Sequence, residues 1–328
     1  MAADEVARIL AEHPPIDLHA DTPTLMRFGY DLVRRHRPPL PRAALGFHVD
    51  LPRLREGRFS CQFFGLVTFP FRRRGRARIA ERQMALVEDA AARSGGRLVL
   101  ARTGDDVRRA AAKGATGYAF GLEGAHGLEG SLEPLDRWAK RGLRYVTPAH
   151  FSRSDACPPK VGWGSRPDDG LSRFGKALVE ACESLGIRVD VAHVSRRSFA
   201  DVVAMSKRPV IVSHTGAASV YPMWRNIDDD GARAIARTGG VAGVIFGTMF
   251  LGGNDAGAVA DHLVALWKTG GEDLPALGSD WDGSIVPPRD LRDPSQIGNL
   301  VGALLDRRVP ERVVGKMLCG NVLRVMDA

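Results

Sequence analysis

The sequence predicts an α/β protein folded as a closed (β/α)8 TIM-like barrel. Eight short apolar runs alternate along the chain with segments of helical periodicity, and this alternation is typical of a parallel sheet covered by helices. Eight such units match a barrel, whose functional residues lie at the carboxyl ends of its strands. Six of the runs end in His, Asp or Glu. The expected fold and the expected position of a site therefore support each other.

The first half of the chain is expected to supply four of the barrel strands. Apolar residues at helical spacing indicate the helices, and Gly114 and Gly142 each end one. In chain order we expect helix 4–12, strand 16–20, a long Arg- and Pro-rich connection over 21–59, strand 60–67, helix 79–94, an accessory strand over 97–101, helix 105–113, strand 117–123, helix 132–141 and strand 143–150.

The second half is expected to supply the other four strands. The segment 151–170 is too long for a simple turn, and loops of this length are usually functional or disordered. Gly186 and Gly320 each follow an expected helix. After the loop we expect helix 171–185, strand 188–193, helix 198–205, strand 209–214, helix 228–238, strand 240–246, helix 256–269, strand 275–279 and two closing helices, 296–305 and 310–319.

Length and composition favour one cytoplasmic domain. The chain has 328 residues, of which 44% are hydrophobic, and no boundary signal or repeat divides it, so we expect a single domain over 1–328. No run approaches the ~20 apolar residues of a membrane span, and no signal peptide is visible, so no membrane partner is expected. The four cysteines match no metal or disulfide spacing and indicate a reducing compartment.

The net charge of +8 raises the question of an anionic partner. Much of the excess lies in arginine-rich stretches at 34–37 and 72–78. Such charge is compatible with nucleic acid or a lipid surface, or with solvated loops. No aromatic residues are interleaved with it and no nucleic-acid module accompanies it. We therefore expect no nucleic-acid partner.

The residues at the strand ends indicate a metal site. His19 and Asp21 are two positions apart, so in an extended strand both side chains point the same way. Imidazole and carboxylate together suit Zn²⁺ and related ions. A lone His at a strand end is more often structural than a ligand. The prediction of a metal site therefore depends on several such residues occurring together at strand ends. With Glu123, His193 and His214 there are enough ligands for two metals that share a carboxylate.

Two further strand-end residues suit acid–base and oxyanion chemistry. Two metals ~3.5–4 Å apart can clamp an attacking hydroxide and the oxygen on which charge develops. Asp280 would then transfer the proton. His150 would donate to the oxyanion.

Other polar and aromatic residues have structural explanations. His126 is expected to support a ligand rather than bind metal, and Asp282 to hold its own turn. Met84, Phe63 and Phe64 are expected in the core. Four histidines lie away from strand ends and are expected at the surface: His13, His36, His48 and His262.

At this point the sequence resembles the membrane (renal) dipeptidase family, metallopeptidases with a barrel of the metal-dependent hydrolase type, and in particular its soluble bacterial members. The likeness includes Ile-Asp-Leu-His-Ala-Asp at 16–21 and Gly-Ser-Asp-Trp-Asp-Gly at 278–283. The other matching stretches, in consistent order, are 49–55, 121–126, 144–150, 170–175, 189–195, 209–214, 225–229 and 320–325. The resemblance runs from about residue 16 to 326.

The resemblance implies two zinc ions per subunit. It places His19 and Asp21 on one ion and His193 and His214 on the other, with Glu123 as the bridge. It implies that Arg225 binds the terminal carboxylate of the substrate, for which its planar fork is suited. His150 would polarise the scissile carbonyl and Asp280 would handle the proton. The family also often forms homodimers.

The function expected from the sequence is that of a zinc-dependent dipeptidase. A metal-bridging hydroxide would attack the peptide carbonyl of dipeptides, including L-Xaa–D-Xaa. The family often has Thr-His-Asn where this chain has Ala149-His150-Phe151, and it often has Asn where this chain has Ala20. Neither change removes a ligand. The first leaves open another binuclear amidohydrolase acting on a different amide, a lactam or an ester, and a non-enzymatic binding protein is the more distant alternative.

Overall fold

One parallel sheet organises the part of the chain that the computed structural model describes, which is residues 2–37, 46–68 and 74–328. Its strands are β1 (Ile16–Ala20), β2 (Cys61–Val67), β3 (Leu98–Leu100), β4 (Thr116–Glu123), β5 (Leu143–Thr147), β6 (Arg188–Val189), β7 (Ile211–Thr215), β8 (Val241–Val244) and β9 (Pro275–Leu277). Neighbouring strands follow the order β6-β5-β4-β2-β1-β9-β8-β7, and β3 pairs with β4 outside this path. A parallel bridge between Asp190 and Ile211 joins the two ends. The nearly closed eight-stranded barrel predicted from the sequence is confirmed.

Helices surround the barrel. They are α1 (Ala2–Glu12), α2 (Thr22–Met26), α3 (Leu51–Glu56), α4 (Arg76–Arg93), α5 (Gly104–Ala112), α6 (Pro134–Lys140), α7 (Arg173–Leu185), α8 (Arg196–Met205), α9 (Asp229–Arg237), α10 (Thr248–Leu251), α11 (Ala256–Gly270), α12 (Ile297–Asp306), α13 (Glu311–Gly315) and α14 (Asn321–Asp327). Short 3-10 turns occupy Ala125–Leu128 and Pro294–Gln296. A π turn, Lys316–Gly320, joins α13 to α14.

The core explains why the strands read as continuous apolar runs. Every residue of β1, β2 and β4 is buried, as expected for parallel strands that are covered on both faces. A large cluster lies between the sheet and the helices, and it includes Phe64 and Met84 as expected. A second cluster includes Phe63 and Tyr145 and extends to Val322 and Val325 of α14. The last helix therefore packs against the barrel interior.

Four strands of the barrel end earlier than expected, β8 and β9 by two residues each and β5 and β6 by more. The strand predicted over 143–150 ends at Thr147, because Pro148 has no N–H to donate to a ladder. The strand predicted over 188–193 ends at Val189, where the side chain of Asp190 becomes the hydrogen-bonding partner of the neighbouring strand. His150 and His193 consequently lie on loops just beyond their strands.

The connection at 21–59 and the closing helix also differ from expectation. The connection contains α2 and α3, and Asp50 caps α3 by accepting from the N–H of Arg53 at 3.0 Å. Gly320 does not end the closing helix, because it keeps helical dihedrals and the chain continues into α14. Residues 72 and 73 of the second arginine-rich stretch lie outside the described residues. The single domain over 1–328 stays a prediction.

Asp190 connects the three strands where backbone pairing is sparsest. In the described residues, the β6–β7 seam has only the one bridge at Asp190. The buried carboxylate accepts from the hydroxyls of Thr147 and Ser213, both at 2.6 Å. It also accepts from the N–H groups of Ser213 at 2.8 Å and Ala192 at 3.0 Å. Four donors compensate for burying this carboxylate and tie β5, the end of β6 and β7 together.

Asp190→Ala should therefore lower the free energy of unfolding by about 3 kcal/mol, since buried donors lose a charged acceptor. Urea unfolding followed by circular dichroism measures the change. Asp136→Ala is the matched control, because its exposed carboxylate contacts only Lys140 at 2.6 Å among the hydrogen bonds found, and it should cost at most about 0.5 kcal/mol. Equal losses in the two variants would contradict the proposed role of Asp190.

Candidate metal centre

The barrel brings all eight site residues expected from the sequence to one end. They arrive at or just after the carboxyl ends of strands: His19 and Asp21 at β1, Glu123 at β4, His150 at β5, His193 at β6, His214 and Arg225 at β7, and Asp280 at β9. Seven of them line a cavity of about 520 Å³. His19 lies beneath it, fully buried. Residues up to 261 positions apart thus share one site because parallel strands end together.

Glu123 lies between two groups of ligand atoms. Its Oε2 is 3.4 Å from Nε2 of His19, which in turn is 3.2 Å from Oδ1 of Asp21. Its Oε1 is 2.9 Å from Nε2 of His193 and 3.4 Å from Nε2 of His214. The two oxygens of one carboxylate therefore face two different sets of partners, as a bridging carboxylate would.

The first group fits a cation. His19 Nε2, Asp21 Oδ1 and Glu123 Oε2 are buried and have no hydrogen-bond partner, although buried polar atoms are normally paired. These atoms lie close enough together to hold one metal ion. Ligand atoms about 2.0–2.1 Å from a tetrahedral ion are about 3.3 Å apart, close to the 3.2 and 3.4 Å found here. A metal ion would satisfy all three atoms at once.

The second group fits a cation as well. Glu123, His193 and His214 also offer ligand atoms that could share an ion. The two imidazoles approach at 3.1 Å between their Nε2 atoms. Burial is the main reason that the pKa of His193 and that of His214 lie well below the usual value. Both rings are therefore neutral near pH 7, which is the state that binds metal.

Hydrogen bonds on the far side of two rings fix their tautomers. The hydroxyl of Tyr145 donates to the carbonyl of Leu18 at 3.0 Å, so it must accept from Nδ1–H of His19 at 2.6 Å. The hydroxyl of Ser213 donates to Asp190 and must likewise accept from Nδ1–H of His214 at 2.8 Å. In both rings Nε2 is left pointing into the site, an arrangement that is typical of metal-binding histidines.

The carboxylates of the site lie close together. Burial, together with the Glu123 carboxylate, raises the pKa of Asp21 to about 6. Burial and then the Asp21 carboxylate raise the pKa of Asp280 well above its usual range. Burial would also raise the pKa of Glu123, but the surrounding imidazoles, beginning with His150 and His19, hold that pKa well below its usual range. Bound cations would relieve this repulsion.

Three further residues lie beside these ligand atoms, and one of them, Asp280, also offers an atom that could share an ion with His19 and His214. His150 Nε2 is 3.6 Å from Oε1 of Glu123, and Asp280 Oδ1 is 3.9 Å from Nε2 of His19. Arg225 is buried, with Nη2 3.3 Å from Nε2 of His193. Asp280 and Glu123 interact with its guanidinium electrostatically, but no ion pair within 4.0 Å joins a carboxylate to it among the described residues. A buried cation with no carboxylate in contact is suited to an anionic substrate group.

Expectations for some of the other polar residues were wrong. His48 and His262 are buried rather than at the surface: His48 Nδ1 accepts from the N–H of Asp282 at 3.0 Å, and His262 Nδ1 from the N–H of Ala217 at 2.8 Å. Asp282 does more than hold its own turn, since it accepts from Thr22 Oγ1 at 2.6 Å. His126 is buried beside Ser152, at 2.9 Å from its hydroxyl, and is not among the clustered ligand atoms.

Sequence reasoning missed the residues that support the ligands. Asp190 and Tyr145 were not singled out, nor was Asp17, whose carboxylate accepts from Ser279 Oγ at 2.6 Å and Ser279 N at 2.7 Å. A signal was present for the acids, because Asp17 and Asp190 are carboxylates within apolar runs that lead into ligand histidines. The argument from the cost of burial that was applied to Asp280 applies to them equally.

A parallel barrel with such a cluster at its carboxyl ends is the architecture of a barrel metallohydrolase. The family model for membrane dipeptidase, peptidase family M19, matches residues 3–328. The chain therefore belongs to the M19 dipeptidase family, and it is a hydrolase acting on peptide bonds. None of the helices in the described ranges is long and apolar enough to cross a membrane.

Solved structures agree with this assignment. The metallopeptidase described as dipeptidase AC of family M19 shares 26% identity, with 96% of this chain and 98% of that one covered and a TM-score of 0.85. A metallopeptidase from Rhodobacter sphaeroides, liganded with a phosphinate mimic of the dipeptide L-Ala-D-Ala, shares 25% identity with the same coverage and a TM-score of 0.85. The probable dipeptidase PvdM from Pseudomonas aeruginosa, at 19% identity, covers 99% of this chain and 98% of its own with a TM-score of 0.88, and supports the fold.

Tyr145→Phe should weaken metal binding by about 10–100-fold, because it removes the acceptor that orients His19. Competition with a chromophoric chelator measures the affinity. Tyr118→Phe is the matched control: this buried tyrosine packs against Phe120 at 5.5 Å between ring centroids, away from the ligands. If both variants bind metal as the unmodified protein does, the tautomer assigned to His19 is wrong.

Proposed function

We propose that this chain is a zinc-dependent dipeptidase with two Zn²⁺ ions bridged by Glu123. The observation that carries the proposal is the position of that carboxylate, whose oxygens face His19 and Asp21 on one side and His193 and His214 on the other. Neutral imidazole with carboxylate is a ligand set that suits zinc. When bound, the ions would supply the bridging hydroxide expected from the sequence at neutral pH and would polarise the scissile carbonyl.

Arg225 would fix the substrate by its terminal carboxylate. Its guanidinium is buried next to His193, and a planar fork can hold both carboxylate oxygens. A dipeptide held in this way has its single peptide bond next to the ligand cluster, whereas a longer peptide would not fit between the anchor and the cluster in the same way. The phosphinate mimic of L-Ala-D-Ala bound by the relative from Rhodobacter sphaeroides supports L-Xaa–D-Xaa substrates.

His150 and Asp280 would complete the reaction. As the carbonyl becomes tetrahedral, Nε2–H of His150 would donate to the developing oxyanion. The water oxygen joins the carbonyl carbon and the C–N bond breaks, so a proton must pass from the attacking water to the leaving nitrogen. Asp280 would carry it, because burial and Asp21 raise the pKa of Asp280 well above its usual range and towards that of an effective proton-transfer group.

The direct test is hydrolysis of an L-Xaa–D-Xaa dipeptide library by the zinc-loaded chain, before and after treatment with a chelator. We expect turnover of several members, its loss after metal removal and its return with added zinc. Lactam, ester and N-acyl amide substrates are assayed in parallel. No metal-dependent turnover of any dipeptide would refute the dipeptidase, and exclusive turnover of another class would point to a different amidohydrolase.

Arg225→Gln should lower kcat/KM for dipeptides by about 100-fold, mainly through KM, because it removes one partner of a buried charge pair. The substrate supplies the matching control: a C-terminally amidated dipeptide lacks the carboxylate, so the variant and the unmodified enzyme should hydrolyse it equally poorly. Arg233→Gln changes an exposed arginine paired with Asp230 at 2.9 Å. This variant should leave kcat/KM unchanged for both the acid and the amide. If Arg225→Gln lowers kcat/KM equally for the acid and the amide, Arg225 does not bind the terminal carboxylate of the substrate.

A further inference from the structure

The mouth of the catalytic cavity differs in character from its floor. The floor carries the polar cluster described above. Apolar residues from the end of β2, from α10 and from loops that follow other strands also line the cavity: Val67, Phe151, Trp224, Met249, Phe250 and Ile285. Phe151, Trp224 and Met249 are 46%, 37% and 56% exposed. Large apolar surface left in a binding cavity commonly receives an apolar ligand group.

The described lining leaves no charged group to receive a charged substrate side chain. Apart from the proposed metal ligands, the catalytic residues and the proposed anchor Arg225, the only other charged residue among the described lining residues is Asp282. Its carboxylate accepts from Thr22 Oγ1 at 2.6 Å and from the N–H of His48 at 2.8 Å, and its side chain is fully buried. Asp282 is therefore occupied in joining loops and does not face a substrate.

Phe151 is the apolar wall closest to the reacting groups. The centroid of its ring lies 4.5 Å from that of His150 and 5.0 Å from that of His193. One side of the ring thus packs on the proposed oxyanion donor and a metal ligand, while nearly half of the residue stays exposed in the cavity. A substrate held with its carbonyl at His150 must place a side chain near this ring.

The backbone around Phe151 is held from two directions. The N–H of Trp163 donates to the carbonyl of Phe151 at 2.9 Å, and the N–H of Arg153 donates back to the carbonyl of Trp163 at 2.9 Å. Gly162 has a φ of 120°, and a Cβ there would lie 2.1 Å from the carbonyl oxygen of Phe151, so only glycine permits this approach. Ser152, the next residue, is hydrogen-bonded to His126. Phe151 is therefore a preorganised wall.

We infer that Phe151, together with Trp224 and Phe250 in the same cavity, forms a subsite that selects dipeptides with a large apolar side chain over small or charged ones. This inference rests on the proposed function and names its substrate class. Trp224 and Phe250 pack against each other in an edge-to-face contact with 6.0 Å between centroids. Each methylene that an apolar pocket accepts is worth about 10–200-fold in selectivity.

The test compares kcat/KM of the zinc-loaded chain for L-Ala–D-Ala, L-Leu–D-Ala, L-Ala–D-Leu, L-Glu–D-Ala and L-Lys–D-Ala. We expect leucine in one of the two positions to be preferred over alanine by at least about tenfold, and the charged dipeptides to be disfavoured. The position that responds identifies which substrate residue faces Phe151. Equal rates for leucine and alanine in both positions would overturn the inference even if every dipeptide is hydrolysed.

Substitutions then locate the selectivity. Phe151→Asn should reduce the leucine-to-alanine ratio to below about threefold, whereas Phe151→Leu, which keeps an apolar wall, should retain most of it. The matched control is Phe28→Asn, at an aromatic residue that is 78% exposed and does not line the cavity, and its ratio should equal that of the unmodified protein. A ratio in Phe151→Asn that equals the unmodified one would assign the selectivity elsewhere.

Binding without turnover separates this inference from the proposed function. Calorimetry on the zinc-loaded chain measures the dissociation constants of phosphinate mimics of the same dipeptides, which cannot be hydrolysed. Tighter binding of the leucine mimic that depends on Phe151 supports the subsite even if no dipeptide is hydrolysed. Hydrolysis without such a preference in rate or binding would support the dipeptidase activity and contradict the subsite. Absence of both turnover and selective binding would contradict both proposals.

Discussion

Glu123 is surrounded by imidazoles in a part of the barrel that water scarcely reaches, and the rest of the site depends on how its charge is compensated. His19, His193 and His214 lie within 3.4 Å of its oxygens. Three buried polar atoms, including one of these oxygens, have no hydrogen-bond partner. Folded proteins rarely leave buried polar atoms unpaired. Cations would make the arrangement favourable. Metal binding would then be coupled to the stability of the fold.

The ligands keep their positions because acids lower in the barrel hold the strands that carry them. Asp190 accepts from both the N–H and the hydroxyl of Ser213, at 2.8 and 2.6 Å. Asp17 accepts from the same two groups of Ser279, at 2.7 and 2.6 Å. In each case the residue after the serine belongs to the site, His214 or Asp280. The same two-point contact thus orients a proposed metal ligand, His214, and the proposed proton carrier, Asp280.

The sequence was sufficient for the barrel and for the convergence of the site residues, because both follow from local patterns. Continuous apolar runs indicate parallel strands, and parallel strands that end in polar residues must bring them together. Strand ends were less predictable. β6 ends at Val189 because the side chain of the next residue, Asp190, replaces the backbone as the hydrogen-bonding partner of β7. The missed helix α3 is only six residues long and depends on its cap and its packing rather than on propensity.

Contacts between loops were beyond sequence reasoning altogether. His48 and His262 became buried because each satisfies a backbone N–H of a segment far away in the chain, and nothing near them in sequence encodes that partner. Phe151 belongs to the same class: its neighbour His150 was predicted, but the wall it forms depends on the chain returning at Trp163. Strand ends thus carry the chemistry, while loop contacts shape the mouth above it. Because the two are set by different parts of the sequence, substitutions in the loops can change which substrate enters without changing the groups that cleave it.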